Sequence, residues 1–244
     1  TLEKETGLTA GKRGYHDVSL TNSRIRLELH FSIKEGIESI DQMLERAWDY
    51  AVPTRTGHCY TFNPEFQIFQ VLAHMCHHLK KSGLGMRPFI DLWLLRKKTA
   101  YDEKKLREMC RHCGILTFYE KSCDLSDSWM EAREYTPETK ALEQYCLMGG
   151  VYGNTEIACT AVLRQNTGIR YYLRRLFIKK GILQEAYPEL RNKPFLLPYY
   201  QIKRWFNLRN RKKRAKIIRE LKGVKDIRRE QIDSFDKLLV SLGL

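Results

Sequence analysis

Between Arg24 and Ile33 the chain alternates strictly. Ile25, Leu27, Leu29, Phe31 and Ile33 fall on one face, and Arg24, Arg26, Glu28, His30 and Ser32 on the other. A period of two is the signature of a strand with two unlike faces. His16 to Leu20 reads as its partner, and Thr21-Asn22-Ser23 supplies turn chemistry between them. The pattern predicts a β-hairpin with one buried face. A lone hairpin is marginal in water, so it needs further strands. The sequence pattern offers few, and the residues upstream of Thr1 are where they are expected.

From Ile37 the period becomes helical. Ile40, Met43, Leu44 and Ala47 keep that spacing, with Trp48 beside them, and Pro53 to Gly57 reads as a loop. Pro64, after Asn63, opens a helix whose stripe is Phe66, Phe69, Leu72, Ala73 and Cys76, ended by Gly83 and Gly85. Pro88 opens the next, with Ile90, Leu92, Leu94 and Leu95, and Asp102 caps another carrying Leu106 and Met109. Helices are also predicted over 118–129, 137–147, 155–163, 169–177 and 202–221, and again from Gln231. Gly149 to Gly153 reads as a turn, and 185–198, with Pro188, Pro194 and Pro198, as an irregular extended stretch. The fold class is therefore α+β: a small antiparallel or mixed β element near the N-terminus, followed by a large all-helical region. The organisation predicted is 1–35 for the β element, 36–182 for the helical domain and 183–244 for a proline-containing segment with basic helices.

Charge divides the chain more sharply than hydropathy. The net charge is +14, and residues 164–244 carry 22 Lys and Arg against 7 Asp and Glu, whereas 1–163 carry 21 against 22. A basic end on a neutral body suits an anionic partner or a solvated surface. Within it, Lys203, Arg204, Arg209, Arg211, Lys212, Lys213 and Arg214, with Trp205 and Phe206 among them, form a pattern suited to nucleic acid or another polyanion. The same pattern fits a solvated helix packed by Ile202, Phe206, Ile217 and Leu221. The seven cysteines follow no framework spacing, which points to reduced thiols and a cytoplasmic setting. No apolar run reaches the roughly 20 residues that a membrane span needs.

Three sets of polar residues have spacing that could carry chemistry. Arg26, Glu28 and His30 share the polar face of one strand, where a carboxylate could hold Mg²⁺ and its basic neighbours a phosphate. His74 and His78 are four apart on one helix, and Arg87 and Asp91 repeat that spacing on the next, across Gly83 and Gly85. A tight glycine turn would let these four groups converge on a metal, a ligand or one another. Cys110-Arg111-His112-Cys113 has the look of half a zinc site but lacks a second cysteine pair. The glycines at 149–153 are not followed by Gly-Lys-Ser/Thr and do not form a phosphate-cradling loop.

The string Arg26-Leu27-Glu28-Leu29-His30, then His74-x-x-x-His78, then Gly83-x-Gly85-x-Arg87-x-x-x-Asp91-Leu92, is similar to the uncharacterised nucleotidyltransferase family of the polymerase-β-like superfamily. Gly150 to Gly153 and the stretch from Tyr187-Pro188 to Leu196-Leu197-Pro198 also resemble it, so the likeness runs over roughly 15–205. The resemblance implies Mg²⁺-dependent transfer of a nucleoside monophosphate from NTP to an acceptor the sequence does not identify. The cofactor it implies is Mg²⁺ with NTP, not a transition metal. Glu28 matches the third metal-holding acid and is the catalytic and metal residue implied. Arg26, His30, His74, His78, Arg87 and Asp91 are the substrate-binding residues expected. The family's first two acids come from an Asp-x-Asp motif on an earlier strand. This sequence lacks that motif, so the chain as given cannot complete a two-metal site and is expected to be inactive alone. The competing expectation is a non-catalytic polyanion-binding module using 203–229.

Overall fold

A computed structural model describes residues 7–13, 17–81, 83–149, 177, 180, 183–184, 187–207 and 229–244. The chain divides into two units, Thr1–Asn63 and Pro64–Leu244. The first holds strands β1 (Thr9–Arg13), β2 (Asp17–Thr21) and β3 (Arg26–His30), helix α1 (Glu38–Leu44), a 3₁₀ turn (Ala47–Tyr50), and strands β4 (Ala51–Pro53) and β5 (Tyr60–Phe62). The three longer strands form one antiparallel sheet in the order β1-β2-β3, and β4 and β5 form a separate hairpin.

The predicted hairpin is present, with Thr21 facing Arg26 and Asp17 facing His30. The Asn22 side chain closes its turn, accepting from the amides of Arg24 and Ile25 at 2.9 and 2.8 Å. Two expectations need correction. The third strand is β1, inside the chain, in a segment (TAGKR) whose apolar pattern gives no sign of a strand. It is held by backbone pairing to β2, with a register shift between Ala10 and Arg13. The second correction concerns the buried face. Ile25, Leu27, Leu29 and Phe31 are 45–58% exposed, and every residue of β3 is exposed on both faces. Alternation states which side chains share a face. Burial also needs a layer packed on that face, and β3 is an edge strand. On the central strand Leu20 is buried. Helix α1 behaves as predicted, with Ile40, Met43 and Leu44 buried, while Trp48 is 76% exposed and meets Tyr60 edge-on.

The second unit contains α2 (Pro64–Lys81), α3 (Arg87–Lys98), α4 (Glu103–His112), α5 (Leu116–Glu131), α6 (Pro137–Gly149), α7 (Leu197–Asn207) and α8 (Arg229–Ser241). Helix α2 is its centre. Phe66, Phe69, Leu72, Ala73 and Cys76 are fully buried, joined by Ile68, Met75 and Leu79. Each large apolar side chain so removed from water contributes about 1.5–3 kcal/mol. Gly83 ends the helix in the left-handed region (φ 92), with its amide donating to the His78 carbonyl at 2.8 Å. Asp102 caps α4, accepting from the amides of Lys104 and Lys105. On α3, Phe89 and Leu92 face the core, whereas Ile90 and Leu94, expected in the stripe, stay exposed. The region of Pro188 and Pro194 is not extended. It forms two 3₁₀ turns, Pro188–Arg191 and Pro194–Leu196, each opened by proline, leading into α7. The expected turn after Gly149 and the helices over 155–163 and most of 169–177 and 208–221 lie outside the described residues.

Polar ties fix α3 to α5. Arg96 Nη1 donates to Asp127 Oδ1 at 2.9 Å, with Asp127 only 4% exposed. At the end of α5, Glu131 accepts from Lys97 Nζ at 2.6 Å and Trp93 Nε1 at 3.1 Å, with Arg133 at 2.9 Å. The Lys97 and Trp93 hydrogen bonds hold the Glu131 carboxyl at about 2. A carboxyl depressed in the folded state stabilises above its unfolded value near 4.5, and that stability is lost as pH falls towards 2. Glu131→Gln is therefore expected to flatten the loss of stability between pH 5 and pH 2.5. Urea melts of both proteins across that interval check this, and identical slopes would refute it.

Candidate functional site at the turn between two helices

His74 and His78 stand one turn apart near the end of α2, and Arg87 and Asp91 one turn apart at the start of α3. The short segment through Gly83 and Gly85 turns the chain between them. All four side chains line one hollow of about 280 Å³, together with Gly83, Leu84, Gly85 and Pro88. The apolar stripe of α2 and the burial of Phe89 and Leu92 on α3 set this arrangement: packing one face of each helix leaves the histidines and the Arg–Asp pair on the remainder.

Within the hollow the two imidazoles meet directly, His78 Nε2 to His74 Nε2, at 2.9 Å. Arg87 and Asp91 form a long pair, Nε to Oδ2 3.9 Å, with side chains 70% and 51% exposed. A pair this open to solvent adds little stability. The i, i+4 spacing does not single out His77. It stacks parallel to His74 at 6.4 Å and approaches His78 at 5.4 Å, with Lys81 Nζ 3.5 Å from its Nδ1. The only sign of it in the sequence is the His77-His78 doublet.

In the first unit, Arg26, Glu28 and His30 share the exposed polar face of β3, opposite Thr21, Ser19 and Asp17 of β2. Glu28 Oε1 accepts from Arg26 at 2.7 Å, and Arg26 also reaches Ser19 Oγ at 3.4 Å. A magnesium ion asks for near-octahedral oxygen ligands. One carboxylate already engaged by a guanidinium does not supply them, and among the described residues no group of three His, Cys, Asp or Glu comes together to hold a metal. The described residues therefore do not make up a complete metal centre.

Of the basic set, Lys203 lies at 5.3–5.9 Å over the rings of Tyr187, Tyr199 and Tyr200, a cation–π arrangement. Arg204 belongs to α7, and Arg209, Arg211, Lys212, Lys213 and Arg214 lie outside the described residues. Cys110 and Cys113 are buried thiols. Burial pushes the Cys113 thiol up to about 11, so at neutral pH it stays protonated and inert. A larger groove of about 540 Å³ runs between α6 and α8, lined by Tyr145, Met148, Phe235 and Leu238 among others. Its exposed lining is mainly apolar, with Glu138, Glu230 and Lys237 also on it. Among the described residues no helix is long and apolar enough to cross a membrane.

A family model described as uncharacterised nucleotidyltransferase matches residues 2–131, more than half of the chain, spanning both the β3 face and the α2–α3 hollow. No curated protein and no solved structure matches the chain.

Proposed function

The chain belongs to the uncharacterised nucleotidyltransferase family, and from that premise we propose that it serves transfer of a nucleoside monophosphate from NTP, with the α2–α3 hollow as a substrate-binding site. The observation that carries this reading is the convergence of His74, His78, Arg87 and Asp91 on one hollow. These are donors and a carboxylate suited to phosphate and hydroxyl groups. Arg26 and His30 join this reading as further basic groups for substrate, and Glu28 as the carboxylate offered towards Mg²⁺. Glu28 alone does not make an ion site, so catalysis requires acids beyond those described. The acceptor would be a hydroxyl or phosphate-bearing molecule. Incubating the complete protein with each labelled NTP, Mg²⁺ and a cell lysate tests the reading. Label transfer lost in both Glu28→Gln and Arg87→Ala is the expected result. Absence of transfer with all four NTPs would sink it.

A second reading rests on the charge asymmetry: residues 203–229 as a polyanion-binding segment, without catalysis. Phosphate contacts release counterions, so affinity for RNA or DNA is expected to fall steeply with salt. Gel-shift assays at low and moderate salt measure this, and no shift at low salt removes the reading.

A further inference from the structure

The hollow is small. Sites that enclose a whole drug-sized ligand measure about 300–1,000 Å³, and this one, at about 280 Å³, suits one part of a nucleotide or acceptor. Its donors favour an anionic part. Arg87 presents a guanidinium, the fork that recognises phosphate oxygens in pairs. It opens the twelve-residue α3, at the positive end of that helix, and Met86 before it provides no side-chain cap. Gly83 and Gly85 add backbone without a Cβ in the way.

The histidine pair adds a constraint. A hydrogen bond between two Nε2 atoms at 2.9 Å requires one to carry a proton and the other to accept it. In that state the two nitrogens satisfy each other. A phosphate oxygen only accepts, so for both Nε2 atoms to donate to it the pair must part and the accepting ring must gain a proton at Nε2, either by shift from its own Nδ1 or by uptake of one more proton. An adjacent phosphate charge favours the charged ring that uptake gives. In the empty hollow that proton would add a second positive charge beside Arg87, with His77 and Lys81 close by on α2 and the exposed Asp91 as the opposing charge on α3. Helix α4, also packed on α2, directs Glu103 and Arg107 to Tyr119 and Glu120 instead. A bound anion supplies the missing counter-charge.

We infer that the α2–α3 hollow is a phosphate subsite whose occupancy is coupled to uptake of one proton by the His74–His78 pair. The inference rests on the nucleotidyltransferase reading only for the owner of the phosphate, which is either the oligophosphate tail of an NTP or a phosphate monoester on the acceptor.

Titration calorimetry of the complete protein with tripolyphosphate and with inorganic phosphate, near pH 7 in two buffers of different ionisation enthalpy, yields both affinity and proton count. Uptake of about one proton per anion is expected. Arg87→Ala should weaken binding about tenfold or more, and His78→Gln should abolish the uptake while leaving residual binding. Circular dichroism confirms that these exposed-site variants stay folded. Tighter binding of tripolyphosphate assigns the subsite to the nucleotide tail, and equal affinity assigns it to a monoester. Binding without proton exchange, uptake that survives His78→Gln, or no binding of either anion at millimolar concentration overturns the inference. Proton-coupled binding in a protein that transfers no label leaves it standing and removes the enzymatic reading, and label transfer without uptake does the reverse.

Discussion

Replacing Asp127 by alanine is expected to destabilise the helical unit by about 3–5 kcal/mol, the cost of leaving a buried charge without its partner. Asp127 is 4% exposed and receives Arg96 through both terminal nitrogens, at 2.9 and 3.4 Å, with the Arg96 side chain itself only 16% exposed. Arg133 approaches Oδ2 at 3.1 Å but is 57% exposed and adds little. Removing the carboxylate strands the Arg96 guanidinium between α3 and α5, where water reaches it poorly. Asp127→Asn keeps the shape and loses the charge, so most of the penalty should remain. Replacing both partners, Arg96→Met with Asp127→Leu, is expected to recover much of the loss, because the paired charges are costly to desolvate in the first place. Urea denaturation of the three variants checks this. A loss below about 1 kcal/mol for Asp127→Ala would show that the site relaxes to admit water.

What the sequence disclosed follows from which interactions are local. The Asp102 cap, the Pro64 start of α2 and the Gly83 end are set by residues within a turn of one another, and they stand where the pattern puts them. Strand β1 depends on backbone pairing to β2 and has no side-chain pattern to announce it. The exposure of Leu27 and Leu29 depends on what packs over β3, which no feature within the strand encodes. The pairs His74–His78 and Arg87–Asp91 were legible because helical spacing is rigid and the glycine turn is short. The direct Nε2–Nε2 contact and the stacking of His77 depend on rotamers, which spacing leaves open. The basic residues from 203 onward were legible as a charge run, yet Lys203 resting on three tyrosines was not, since those rings come from Tyr187 in the 3₁₀ region as well as from α7.

The packing beneath the hollow is open to test separately from its polar rim. Phe89 lies between Arg87 and Asp91 in sequence and points the other way: it is fully buried and meets Trp129 of α5 edge-to-face, with ring centroids 5.2 Å apart at 71°. It anchors the first turns of α3, and so the placement of Arg87 and Asp91 opposite His74 and His78. Phe89→Ala is expected to cost about 3–5 kcal/mol through lost burial and the cavity left behind, with a further share from the lost aromatic pair. Phe89→Leu fills most of the space and should cost much less. The two variants separate stability from site geometry. If α3 holds the rim through this contact, a folded Phe89→Leu protein should bind tripolyphosphate less tightly than the parent even where its urea midpoint has barely moved. If affinity instead follows the folded fraction alone, the rim is positioned by the glycine turn and not by the core beneath it.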